Sequence, residues 1–207
     1  MSIKLNAQSG GSVALDAPTQ TTGSADNLYK LPIADGTAGQ VLMTDGSGNL
    51  SWTTPGITMV DEFRGNVEQD WSPNATLTFW ERSDTNFDGI GTGMTHSSGV
   101  FTFPTTGKYL INCNLTGRRV NTNQPYVGNV IELSTDGGSN YSITAAGWTN
   151  ADSTNAHFSI LTTKILDVTN TSNFKIYVRG NTANDIRFFG DTNSNRSTIQ
   201  FIRLGDT

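Results

Sequence analysis

A single cysteine, Cys113, stands in a chain of 207 residues, so no disulfide closes within one chain and no thiolate-rich zinc site forms there. Glutamate (4) and lysine (5) are scarce as well, and with them goes the usual vocabulary of an exposed helix. A helical bundle is excluded on that ground. Basic charge is also short: 13 Lys+Arg face 18 Asp+Glu, a net charge of −5, which is not the footprint of a nucleic-acid binder. No apolar run approaches the roughly 18–20 residues that would insert into a membrane. Met1-Ser2-Ile3-Lys4-Leu5 turns polar at once, which predicts no secretory leader. What is abundant is Thr (30), Asn (20), Ser (18) and Gly (22), the residues of strands and turns. The composition predicts an all-β protein.

Aromatic residues divide the chain unevenly. Tyr29 and Trp52 are the two in residues 1–55, against 17 in residues 56–207, so the core is expected in the second segment. Residues 1–55 read as an extended arm, 56–75 as a connector and 76–207 as a β-sandwich head. Within the arm, Val41 to Thr44 and Leu50 to Trp52 flank the turn residues Asp45 to Asn49, which predicts a small hairpin. Two strands alone are not stable in water, and Val41, Leu42, Met43, Leu50 and Trp52 call for a partner surface. In the head, strands are predicted at Thr76–Trp80, 100–103, Lys108–Leu115, 130–133, 141–145, Phe158–Val168, 174–178 and 199–201. Tyr109, Ile111, Cys113 and Leu115 alternate with polar positions, the period of a strand buried on one face. Eight or more strands without a helix make a sandwich, and the long second half favours a jelly roll.

The inventory for catalysis is thin. His96 and His157 sit in polar, loop-like contexts, no nucleophile elbow is present, and glutamate is too scarce to suggest a glycosidase pair. The chain reads as non-enzymatic and without a cofactor. Asp84-Thr85-Asn86-Phe87-Asp88-Gly89 resembles the alternating ligands of a calcium loop but lacks the closing glutamate, and Asx turns account equally for its residues. Arg118-Arg119 could grip a carboxylate or phosphate, or form a solvated loop edge. Trp148 suits a stacking platform for a sugar ring, a core position or a subunit interface.

The stretch from Leu31-Pro32-Ile33-Ala34-Asp35-Gly36 through Gly39-Gln40-Val41-Leu42 to Thr44-Asp45-Gly46-Ser47-Gly48-Asn49-Leu50-Ser51-Trp52 resembles a segment of tailed-bacteriophage fibre and appendage proteins, especially of marine and cyanobacterial hosts. That resemblance implies an arm that attaches to the particle or begins a trimeric stem. Gly99-Val100-Phe101-Thr102-Phe103-Pro104, Gly107-Lys108-Tyr109-Leu110 and Ile199-Gln200-Phe201-Ile202-Arg203-Leu204 resemble the jelly-roll head of the complement globular-head and tumour-necrosis-factor families. Those heads form trimers about an aromatic-rich axis, which implies a homotrimer here with Tyr109 near the axis.

The expectation is therefore a virion-surface homotrimer whose residues 1–55 bind other virion proteins. Its head would contribute to attachment at a host cell-surface glycan or protein. The alternative role is a capsid decoration, a head fibre or cement protein that stabilises the shell. Candidate receptor contacts are Arg118, Arg119, Asn121, Asn123, Trp148, Asn150 and Asn193, in loops at 121–124, 147–155 and 191–195.

Overall fold

The computed structural model describes residues 3–6, 12–15, 28–120, 124–182 and 186–207, and for 3–6, 12–15, 124 and 125 the backbone alone. Asn121 and Asn123 lie outside the described residues. The chain divides into two compact units, Met1–Gly56 and Ile57–Thr207. No helix forms among the described residues, so none is long and apolar enough to cross a membrane.

In the first unit, β1 (Ile3–Asn6) pairs antiparallel with β2 (Ser12–Leu15), and β3 (Val41–Thr44) with β4 (Leu50–Thr53). The β3–β4 turn is built from local chemistry. Asp45 accepts the backbone N–H groups of Ser47 (2.8 Å) and Asn49 (3.1 Å) and the Asn49 amide (2.6 Å), while Gly46 and Gly48 take positive φ. The Asn49 amide first, then the backbone N–H of Ser47, holds the Asp45 carboxyl below the ordinary range. Residues 28–30 fold back onto this turn: the Lys30 N–H donates to the Gly48 carbonyl (2.8 Å), and the Leu50 N–H to the Lys30 carbonyl (2.9 Å). The Trp52 indole lies against Gly36, where a Cβ would come within 2.6 Å of the ring, and its Nε1 donates to the Ala34 carbonyl (2.9 Å).

The second unit is a two-layer sandwich. Its strands are β5 (Met59–Gly65), β6 (Gln69–Trp71), β7 (Trp80–Arg82), β8 (Thr95–Ser97), β9 (Val100–Thr102), β10 (Gly107–Arg119), β11 (Gln124–Ser134), β12 (Ser142–Ala151), β13 (His157–Val168), β14 (Lys175–Thr182), β15 (Ile186–Phe188) and β16 (Thr198–Gly205). One sheet runs β12-β11-β14-β9-β8; the other runs β6-β15-β10-β16-β5-β7, with β13 on the second edge of β10. All these pairs are antiparallel. Tyr109, Ile111, Cys113 and Leu115 of β10 are buried as their alternation predicts. Around them Phe63, Phe101, Phe103 and Phe201 pack edge-on or tilted, with centroids 4.9–6.4 Å apart. Each such ring, fully buried, contributes about 1.5–3 kcal/mol. Asn129 of β11 ties the layers: its amide donates to the carbonyls of Cys113 (2.8 Å) and Ile160 (3.0 Å) in the facing sheet.

Three expectations change. Residues 56–75 contain β5 and β6, and β5 lies between β16 and β7 within its sheet. Its Asp61-Glu62-Arg64 charges disguise a strand because each is answered by a partner distant in sequence. Thr76–Trp80 is not a strand of its own; Leu77 and Phe79 are buried, but the Leu77 N–H donates to Val178 and the Phe79 carbonyl accepts from Asn66. Alternation there follows burial across a sandwich edge, and the strand is Trp80–Arg82. Residues 147–151, expected in a loop, complete β12.

Candidate functional site

The outward face of β10, β13, β16 and β5 carries an unusual pattern. On β13, Phe158, Ile160 and Leu166 point into the core, yet Leu161 and Ile165 point the other way and are 64% and 62% exposed. Register places Ile165 beside Leu110, Leu110 beside Ile202, and Ile202 beside Val60, so one apolar row crosses four strands. The adjacent row is Thr163, Asn112, Gln200 and Glu62. Thr163 donates to the Asn112 amide oxygen (3.1 Å), and Gln200 donates to the Glu62 carboxylate (2.7 Å). A sheet buried on one side normally shows a polar second side. Here that side holds large apolar groups in register, the mark of a contact surface. Leu161 and Ile165 escape the sequence reading because a strand apolar at both parities looks like an ordinary buried one. That double parity is itself the signal.

The residues chosen from sequence fall in different places. Tyr109 is wholly buried within one chain, its hydroxyl donating to the Thr105 carbonyl (2.8 Å) and its ring against Phe103 (4.9 Å), so it belongs to the core of this chain. Arg119 is also buried and donates to the Ala151 carbonyl (3.0 Å) and the Thr154 hydroxyl (3.4 Å). It braces the β12–β13 connection and is not a surface contact. Arg118 points to the opposite side of β10 and donates to the Asn155 side chain. Asn150 is exposed on β12, and Asn193 is exposed in a turn whose N–H donates to Asp191 (2.7 Å). In the first unit Val41 and Met43 share one exposed face of the hairpin; Leu42 and Trp52 pair across the other, with Leu50 partly buried beside them. Trp52 is satisfied by Gly36 and Ala34 of its own arm.

The histidines are not both loop residues. His96 lies on β8, half-buried, its ring 4.7 Å from Phe101 and 5.8 Å from Phe63, with Nε2 accepting the Gly99 N–H (3.1 Å). His157 opens β13, 5.3 Å from Phe189. In the calcium-like loop, Asp84 takes the Arg64 guanidinium, which holds its carboxyl below the ordinary range, while Asp88 is exposed. Among the described residues no three His, Cys, Asp or Glu side chains gather as a metal site.

Trp148 is on the outward face of the five-stranded sheet. Its ring lies over Gly128, where a Cβ would fall 2.6 Å from Nε1, and Nε1 donates to the Asn181 amide oxygen (3.2 Å). Trp148 is 55% exposed and lies on β12, so it is neither core nor loop.

Two facing antiparallel sheets with this strand order define a jelly roll of the tumour-necrosis-factor type. Among solved structures the chain is similar to the Eiger TNF of S. frugiperda, with a TM-score of 0.59 and 15% identity over 72% of this chain and 93% of that one. It is also similar to murine APRIL, with a TM-score of 0.52 and 12% identity over 70% of this chain and 98% of that one. At such identities the likeness is one of fold. No protein-family model and no curated protein matches the chain.

Proposed function

We propose that the chain is a non-enzymatic structural protein of a tailed-phage particle, a homotrimer whose jelly roll is displayed for attachment to the host surface. The observation that carries self-association is the apolar row through Ile165, Leu110, Ile202 and Val60, with Leu161 exposed on the same face beyond the Thr163 row. Covering a row of that kind removes apolar area from water, which favours association. A symmetric assembly covers it with a copy of the same chain, and its amide-and-hydroxyl row supplies directional partners that set the register. The phage assignment rests on the resemblance of residues 31–52. The glycines quoted there act in the backbone: Gly39, Gly46 and Gly48 have positive φ, and Gly36 makes room for Trp52. Residues 1–55, with the exposed Val41, Leu42 and Met43, would join the head to other virion proteins.

Sedimentation velocity at micromolar concentration tests the assembly. The wild-type chain should run at three times 22.2 kDa. The Leu161→Asp/Ile165→Asp double variant should run as a monomer with an unchanged far-UV circular dichroism spectrum, because both side chains are exposed in the single chain. A wild-type monomer would sink the trimer. Particles lacking the protein then separate the roles: attachment leaves them intact but poorly adsorbing, whereas decoration leaves adsorption normal and shells weakened.

A further inference from the structure

The outward face of β14 presents Lys175, Tyr177, Arg179 and Asn181 in line, spanning about 20 Å. Every member except the first is fixed by neighbours. Tyr177 donates to Glu132, and its hydroxyl is pushed up to about 12 by burial first and by that carboxylate second, so it stays a donor. Arg179 donates to Glu132 as well and to the Asn74 amide oxygen (2.8 Å), which also accepts from Asn181 (2.5 Å). Asn181 in turn holds the Trp148 indole at one end of the line, with one ring face on Gly128 and the other in solvent. A flat aromatic surface anchored through its N–H is organised before anything binds it.

The other end of the line opens into a cavity of about 370 Å³ lined by Thr95, Ser97, Thr102, Gly138, Tyr141 and Lys175. That volume suits a small ring. Tyr141 forms a wall and is backed by Tyr177, 4.7 Å between ring centroids. Gly138, at φ +100°, keeps the cavity open; a Cβ there would stand 3.2 Å from the Tyr141 hydroxyl and 3.4 Å from the Lys175 stem. Its turn is pinned by Asp136, which accepts from the Ser134 hydroxyl (2.7 Å), the Asn140 amide (2.7 Å) and the N–H groups of Ser139 (3.1 Å) and Asn140 (3.0 Å). The carboxylate is thus spent inside the turn, and among the described residues Lys175 has no ion-pair partner. An ammonium at the lip of a hydroxyl-lined, tyrosine-walled cavity matches a carboxylate carried on a polyhydroxylated ring.

We propose that this face binds an acidic oligosaccharide, with a carboxylated sugar in the Lys175 cavity and the chain running along β14 to stack on Trp148. The inference rests on the attachment reading above and names the partner of that display. It keeps Trp148 from the residues chosen from sequence and adds β14 and the turn that follows β11 at Ser134.

The test is calorimetric titration of the full-length protein with hexasaccharides of galacturonic, glucuronic and mannuronic acid, and with the neutral hexamers of galactose, glucose and mannose. At least one acidic hexamer should bind, with its neutral counterpart at least tenfold weaker. Trp148→Ala should weaken binding about tenfold and abolish the tryptophan fluorescence change on binding. Lys175→Gln should weaken it about tenfold and remove most of the salt dependence. Both side chains are off the core, and unchanged melting temperatures confirm that the variants fold. Failure of all three acidic hexamers to bind, equal binding of the neutral ones, or binding indifferent to both substitutions would overturn the proposal. A chain that sediments as a trimer and supports adsorption, yet ignores every hexamer, loses this inference and keeps the attachment role. Normal adsorption by particles without the protein removes the attachment role whatever the hexamers do.

Discussion

Asp61 shows how burial decides the weight of a charge. It is almost fully buried on β5 and is gripped by Nε and Nη2 of Arg82 (both 2.9 Å), by the Met94 N–H (2.7 Å) and by the Glu62 N–H (3.0 Å). Gly93 admits this arrangement, since a Cβ there would stand 2.3 Å from Asp61 Oδ2. Removing the carboxylate strands the buried Met94 N–H, so Asp61→Ala should cost about 2–4 kcal/mol in urea unfolding. The exposed pair Arg196–Glu68 (2.6 Å) has the same chemistry in water, and Arg196→Ala should cost only about 0.5 kcal/mol in the same measurement. Equal losses would mean that burial is not what separates them. The two acidic residues at 61 and 62 read as part of a connector in the sequence, because the side chains that answer them lie 21 to 138 residues away.

The β8–β9 hairpin carries a pH dependence of its own. His96 packs its ring on Phe101 and Phe63 and accepts the Gly99 N–H at Nε2, which a second proton would block. Burial pushes the imidazole below its ordinary value, so the unfolded chain takes up the proton first. The contribution to stability is complete above about pH 6.5, falls as pH drops through that value, and levels off below the folded-state value. Urea midpoints of the wild type should decline from pH 7 to 5, whereas His96→Phe should be nearly flat over that window; parallel declines would exclude His96 as the cause. The lowered carboxyls Asp70, Asp84 and Asp191 act further down, with stability lost as pH falls below their unfolded value of about 3.9. The turn chemistry of this hairpin, Ser98-Gly99 both at positive φ, is visible in sequence, but the aromatic bed beneath His96 comes from strands 33 residues before it and 5 after.

At the scale of the whole molecule, the hydrophobic core among the described residues lies between Met59 and Phe201. A fragment of residues 57–207 should therefore unfold in one cooperative transition, within a few degrees of the full chain by circular dichroism. A broad, early transition would show that the first unit contributes to that core. The division into an aromatic-poor arm and an aromatic-rich head already announces this in the sequence, whereas the placement of β5 and β6 in the head does not, because their charges and short length hide them.

What the sequence determined by itself is local and periodic. The β3–β4 hairpin follows from turn residues between two short apolar runs, the buried face of β10 from alternation, and the all-β class from a shortage of helix formers. Each depends on neighbours within a few residues. Tertiary structure alone decided which outward side chains share a face. It set Ile165 beside Leu110 and Ile202, laid Trp148 over Gly128, buried Arg119 and Tyr109, and, among the described residues, left Lys175 without an ion-pair partner at a cavity lip. Strand period tells which side of a strand a residue takes. Only the pairing register and the packing of two sheets tell what stands next to it.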